Sequence, residues 1–121
     1  MKKILIVDND SGMCQLMTMA FEYAKFEVVA TGSLPEVSKL VLDDSFDALL
    51  MDFHLGAGES GLSMLTRFSE SGMQMPFWLV TGTPHDPDAL KVLELDGCQG
   101  IIAKPFVILE LITQVNDIVS A

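Results

Sequence analysis

Ile4-Leu5-Ile6-Val7-Asp8-Asn9-Asp10 sets four consecutive aliphatic residues directly against three polar ones, and Ser11 to Ala24 then repeats its apolar side chains at helical spacing. The aliphatic run is too short for a helix and lacks the alternation of a strand with one wet face. It fits a strand buried on both faces. Met13, Leu16, Met17, Ala20, Phe21 and Ala24 fall at i, i+3, i+4, i+7, i+8 and i+11, one apolar stripe of a helix that Asp10 or Ser11 caps. A buried strand feeding an amphipathic helix is the opening half of a βαβ unit.

The same unit recurs along the chain. Phe26-Glu27-Val28-Val29-Ala30, Asp47-Ala48-Leu49-Leu50-Met51, Phe77-Trp78-Leu79-Val80 and Gly100-Ile101-Ile102-Ala103 read as further strands, the one with Glu27 placed near an edge. Ser33-Leu34-Pro35-Glu36 is a capping box for the second helix. A third helix runs from about Ser60 to Glu70. Asp86-Pro87 caps and starts a fourth, which Asp96-Gly97 stops. The last, Val107 to Val119, places Val107, Leu111, Val115 and Ile118 on one face, with Ile108, Ile112 and Val119 beside them and Leu109 alone outside the stripe. The expected fold is α/β: a single doubly wound five-stranded parallel sheet with helices on both faces. By analogy its strand order is the flavodoxin-like 2-1-3-4-5.

The 121 residues make one domain, 1–121, with nothing left over for a second. Seventeen acids against seven bases give a net charge of -10, a field that repels phosphate backbones and anionic lipid and favours divalent cations and basic partners. Neither nucleic acid nor membrane is therefore expected as a direct partner. No apolar run approaches the ~20 residues of a membrane helix, and Asp8 interrupts the signal-like start, so a cytoplasmic location is expected. Cys14 and Cys98 read as buried free thiols.

In an open parallel α/β sheet, ligands bind outside the carboxyl ends of the strands. Asp8-Asn9-Asp10, Asp52, Thr81-Gly82 and Lys104-Pro105 all fall there, gathering acids, a hydroxyl and an ammonium at one rim. Carboxylates held together repel, and a hard divalent cation relieves them; Mg²⁺ takes one or two carboxylates and keeps several waters. Lys104 suits a phosphoryl oxygen or a carboxylate as a point charge, and Thr81 can donate a hydrogen bond to the same group. That equipment suits phosphoryl transfer, which needs in-line positioning and charge neutralisation.

Four pieces, Ile-Leu-Ile-Val-Asp8-Asn9-Asp10, Leu-Leu-Met-Asp52-Phe-His-Leu, Leu-Val-Thr81-Gly and Ala-Lys104-Pro105-Phe106, resemble in order and spacing a response-regulator receiver domain of two-component signalling. The resemblance covers essentially the whole chain, and the loop after Asp52 resembles receivers attached to hybrid sensor kinases. It implies that Asp52 accepts a phosphoryl group from the phosphohistidine of a histidine kinase or phosphotransfer protein, with Mg²⁺ bound. It implies a metal shell of Asp8, Asn9, Asp52 and the backbone carbonyl of His54, a phosphoryl contact from Lys104, and a Thr81 that moves on activation. It also implies a cis Lys104-Pro105 bond and a regulatory protein, not an enzyme proper, that assists its own phosphorylation and dephosphorylation. As a partner surface it implies the face of helix 4, strand 5 and helix 5, the chain being a monomer or weak dimer.

Three positions depart from the family. Asn9 stands where an acid is usual, so Asp10 is either a compensating metal ligand or, more simply, the helix cap. Gly56-Ala57-Gly58 replaces a loop that normally carries proline. Ile101 occupies the aromatic switch position on strand 5, so activation is expected to rearrange the Thr81-to-Asp86 loop while Ile101 moves little. Alternatives of other classes are a pseudo-receiver that keeps the fold without the chemistry, and a haloacid-dehalogenase-type phosphatase with Asp8 as nucleophile and Asp10 as acid/base. A flavodoxin-like electron carrier fails because Asp8-Asn9-Asp10 would repel the phosphate its first loop must cradle. His54 reads as a loop histidine beside the site and Trp78 as core.

Overall fold

The computed structural model describes residues 1–43, 45–55, 61–72 and 74–120. Five strands, β1 (Lys3–Val7), β2 (Glu27–Thr31), β3 (Ala48–Asp52), β4 (Phe77–Thr81) and β5 (Cys98–Ala103), alternate with α1 (Ser11–Tyr23), α2 (Leu34–Asp43), α3 (Gly61–Glu70), α4 (Pro87–Leu90) and α5 (Ile108–Val119). All neighbouring strands pair parallel, in the order β2-β1-β3-β4-β5. Glu27 lies on the edge strand, as expected, where it pairs with Lys3 of β1 at 3.2 Å.

The period-two alternation of each strand divides the core in two. Leu5, Val7, Leu49, Met51, Phe77 and Leu79 point to the side of α2, α3 and α4, against Val37, Met64, Leu65, Ala89 and Val92. Ile4, Ile6, Ala48, Leu50, Trp78 and Val80 point to the side of α1 and α5, against Met17, Phe21, Leu111 and Val115. This double burial is why the central runs are apolar throughout and why Trp78 is core. Every strand ends at the same rim, which fixes where Asp8, Asp52, Thr81 and Lys104 emerge.

Several local expectations are corrected. The capping box of α2 forms only by half: Ser33 Oγ accepts the Glu36 N–H at 3.3 Å, but the Ser33 N–H donates to Thr31 Oγ1 at 3.1 Å. The fourth helix is short, a single α-turn passing at Lys91 into a 3-10 helix (Lys91–Glu94); Gly97 follows with φ +90°. On α1, Leu16 is 52% exposed, off the buried stripe it was assigned to. Val107 precedes α5 as its N-cap and is 59% exposed, and Ile118 is 40% exposed, so only Leu111 and Val115 of that expected face are buried. Leu109 is thus not alone outside the core. Cys14 and Cys98 are free but half-buried, not buried. The start of the third helix at Ser60 and the Gly56-Ala57-Gly58 loop lie outside the described residues.

At β5 the ladder to β4 slips: Phe77 lies opposite Cys98 but Trp78 lies opposite Gly100, leaving Gln99 as an extra, exposed residue. Lys104-Pro105 is cis.

Candidate functional site

Asp8 follows β1 and Asp52 closes β3; each is only 4% exposed. Lys104 follows β5, two strands from β3 and three from β1, and its ammonium bridges the two acids. Nζ lies 3.0 Å from Asp8 Oδ2 and 3.5 Å from Asp52 Oδ1. The backbone aims this side chain, since the Lys104 N–H donates to the Thr81 carbonyl at 2.8 Å and extends the β4–β5 ladder to the rim. Backbone amides hold both carboxylates as well, Asp8 through its second oxygen and Asp52 through the oxygen that faces Lys104. Asp8 Oδ1 accepts the Asp10 N–H at 2.9 Å, and Asp52 Oδ1 accepts the His54 N–H at 3.4 Å.

Burial and the charge of Asp8 push the Asp52 carboxyl above the usual carboxylate range, and Lys104 with the His54 amide only partly pulls it back. Burial draws the Lys104 ammonium down, but the hydrogen bond to Asp8 and the fields of both acids outweigh it and leave its pKa raised. The site is therefore short of positive charge: one ammonium serves two shielded carboxylates.

Gly61, the first residue of α3, is packed against the back of Asp52. A Cβ there would collide with the Asp52 carbonyl oxygen and crowd Met51 Cγ. Its N–H donates to the Phe53 carbonyl at 3.2 Å, tying α3 to the end of β3.

Of the residues expected in the site, the structure brings together Asp8, Asp52 and Lys104, with Thr81 buried beside them at the end of β4. Asn9 is exposed on the rim, and among the described residues no hydrogen bond joins its side chain to the cluster. Asp10 caps α1: its Oδ1 accepts from Gly12 N at 2.9 Å and Met13 N at 3.2 Å. Ile101 sits half-buried on β5, packed against the α2–α4 side of the core. The His54 ring stands at the surface, Nε2 3.1 Å from Thr83 Oγ1. Thr83 escaped the sequence reading; the repeated threonine in Thr81-Gly82-Thr83 was the available signal. So did Gly61, for which only the chain's return to the strand end gives a reason.

Among the described residues no three His, Cys, Asp or Glu side chains converge as a metal-binding group. The donor set nonetheless fits a hard cation that uses two carboxylates and otherwise carbonyls and water, as Mg²⁺ does. Asp8 and Asp52 are shielded, face one cation already, and keep Asp52 raised for want of more positive charge.

Comparison with known proteins points one way. The family model described as response regulator receiver domain matches residues 4–116. The response regulator SaeR of Staphylococcus epidermidis is 27% identical over 99% of this chain, which spans 51% of that protein. The phosphate regulon transcriptional regulatory protein PhoB of Pseudomonas aeruginosa is 26% identical over 97% of the chain, again 51% of the relative. The sensory/regulatory protein RpfC of Xanthomonas campestris is 24% identical over 96% of the chain and 16% of its own length. The chain thus spans about half, or less, of these curated relatives. Among solved structures, a CheY-like receiver domain protein from Methanospirillum hungatei superposes with a TM-score of 0.90 at 22% identity, covering 99% of this chain and 94% of that one. The non-phosphorylated HemR receiver domain from Leptospira biflexa gives 0.88 at 24% identity, over 100% and 96%.

Proposed function

The chain belongs to the response-regulator receiver family, regulatory phosphoacceptors of two-component signalling, and on that premise we propose that Asp52 is the phosphoacceptor and that residues 1–121 act as one receiver unit. The observation that carries the assignment is the Lys104 ammonium bridging Asp8 Oδ2 and Asp52 Oδ1 at the carboxyl ends of the strands. It supports an intact acceptor site over a pseudo-receiver. Capping of α1 by Asp10 leaves a haloacid-dehalogenase-type acid/base without support.

In this reading an Asp52 carboxylate oxygen attacks the phosphorus of a phosphohistidine. The phosphorus–nitrogen bond breaks, its electron pair leaves with the imidazole, and an acyl phosphate forms. Lys104 sits where it can leave the Asp8 pairing and meet a phosphoryl oxygen, and Thr81 supplies a hydroxyl to another. Asp8, Asp52, the Asn9 amide and the His54 carbonyl would hold Mg²⁺, which supplies charge neutralisation between the acceptor and the incoming dianion. Hydrolysis reverses the arrangement: water attacks phosphorus and Asp52 departs as carboxylate, so the domain assists both its phosphorylation and its dephosphorylation.

The donor is a histidine kinase or a phosphotransfer protein. Leu16, Met19 and Tyr23 stand exposed on α1, whose capped start adjoins the acids, and offer that donor an apolar footing. The face of α4, β5 and α5, with Leu90, Leu93, Val107 and Leu109 exposed, is the surface for an output partner or a weak dimer. No helix among the described residues is long and apolar enough to cross a membrane; a cytoplasmic site of action accords with that. The test is incubation with a small acyl-phosphate donor and Mg²⁺, followed by peptide mass mapping. One phosphoryl group on Asp52, lost in Asp52→Ala and on chelation of Mg²⁺, is expected; full labelling of Asp52→Ala overturns the assignment.

A further inference from the structure

Thr81 is fully buried at the end of β4, and among the described residues its hydroxyl bonds only to Thr83. The Thr83 N–H donates to Thr81 Oγ1 at 3.0 Å, and the two hydroxyl oxygens lie 3.1 Å apart. Thr83 Oγ1 lies in turn 3.1 Å from His54 Nε2, a contact across 29 residues of chain. The His54 ring is itself placed by edge-on packing on the buried Phe53, with centroids 4.7 Å apart at 68°. A continuous strap, His54–Thr83–Thr81, thus joins the loop after β3 to the loop after β4.

The strap works with the protons running either way. If His54 Nε2 carries its proton, it donates to Thr83, which donates to Thr81, and Thr81 accepts twice. If Nε2 is bare, Thr81 donates to Thr83 and Thr83 to His54. In both cases Thr81 Oγ1 holds two bonds to Thr83, and both must break before the hydroxyl can reorient. We infer that Thr83 and His54 are positioning residues that latch Thr81 in the unphosphorylated domain and so set how readily it turns to a phosphoryl group. The inference rests on Asp52 as acceptor and Thr81 as the residue that moves. It also answers the departure at Ile101: with no strand-5 ring to fill the space Thr81 vacates, the poise of the switch resides in the hydrogen-bonded strap.

The test uses the full chain with a ¹³C-methyl label on threonine and a beryllium fluoride mimic of the phosphoryl group with Mg²⁺. In Thr83→Val the hydroxyl is lost at constant shape while the backbone donor stays. The unliganded Thr81 methyl should shift towards its mimic-bound position, and the half-saturating mimic concentration should fall about three- to tenfold, the worth of one hydrogen bond. His54→Phe keeps the packing on Phe53 and should act in the same direction, by about twofold, because its bond is exposed. Thr83→Ser should restore wild-type behaviour, which a purely structural defect would not. An unmoved Thr81 methyl with unchanged mimic affinity in Thr83→Val overturns the latch. So does weaker mimic binding, which would make Thr83 a direct phosphoryl contact. Labelling of the wild type on Asp52 is scored separately: its failure overturns both readings, whereas a labelled wild type with unresponsive variants overturns the latch alone.

Discussion

Replacing Lys104 by methionine keeps most of the aliphatic stem and removes the one cation shared by Asp8 and Asp52. The lost contacts, at 3.0 and 3.5 Å, are each a gross attraction of about 5 kcal/mol at an effective dielectric of ~20. Dehydration of the three ions offsets most of that, and breaking a buried pair leaves a net cost of about 3–5 kcal/mol. Because the Lys104 side chain is 24% exposed, the expected loss is smaller, about 2–3 kcal/mol. For a chain of this length that lowers Tm by about 8–12 °C. The sign of the pH dependence follows from Asp52. Its raised pKa gives a contribution that is fully present below the unfolded value near ~4 and lost as pH rises through the folded value. Removing Lys104 takes away a group that lowers this pKa, so the deficit of Lys104→Met should be smallest near pH ~4 and full at neutrality. Saturating Mg²⁺ should recover most of it. Thermal unfolding by circular dichroism at both pH values, with and without Mg²⁺, reads all three effects. Equal Tm for variant and wild type in metal-free neutral buffer, or a deficit that ignores pH, would refute the account of the site as starved of positive charge.

Other changes separate the roles of neighbouring residues. Asn9→Asp adds a full charge at the rim and should tighten Mg²⁺ binding about tenfold while lowering metal-free stability; identical calorimetric titrations would mean that position 9 does not touch the ion. Gly61→Ala drives a methyl into the Asp52 carbonyl and should slow Asp52 labelling by an order of magnitude or more with about 2 kcal/mol of destabilisation, seen in a labelling time course and a urea melt; a wild-type time course contradicts it. Asp10→Ala should remove a helix cap worth about 1 kcal/mol without altering Mg²⁺ affinity; a metal titration that weakens in step with stability would make Asp10 a ligand as well as a cap.

The amino-acid sequence displays what depends on short-range pattern. The apolar runs declared strands buried on both faces, and the strand ends then had to carry Asp8, Asp52, Thr81 and Lys104 to one rim, because parallel strands share a direction. Exposure on the helices was less legible. Leu16 obeys the helical period of α1 as well as Met17 does, yet the stripe is wider than the surface available to cover it, so Leu16 faces solvent. The α2 cap failed by half because Thr31, at the end of the preceding strand, competes for the Ser33 amide. The His54–Thr83 contact joins two loops from different strands, and no local spacing encodes it. Asp10 was ambiguous in sequence, and its two backbone donors place it as a cap.

The slip in the ladder at Gln99 has a bearing on how copies of this chain tolerate crowding. A parallel sheet ends in two rows of unsatisfied amides and carbonyls, each a template on which a stranger's backbone can crystallise. Here the row on β5 is interrupted. β5 is broken in register against β4 by its extra residue Gln99, which lies between Gly97 and Gly100, both at positive φ. A backbone zipper along the β5 border would have to absorb that misfit. On that side the sheet is a poor template for an additional strand.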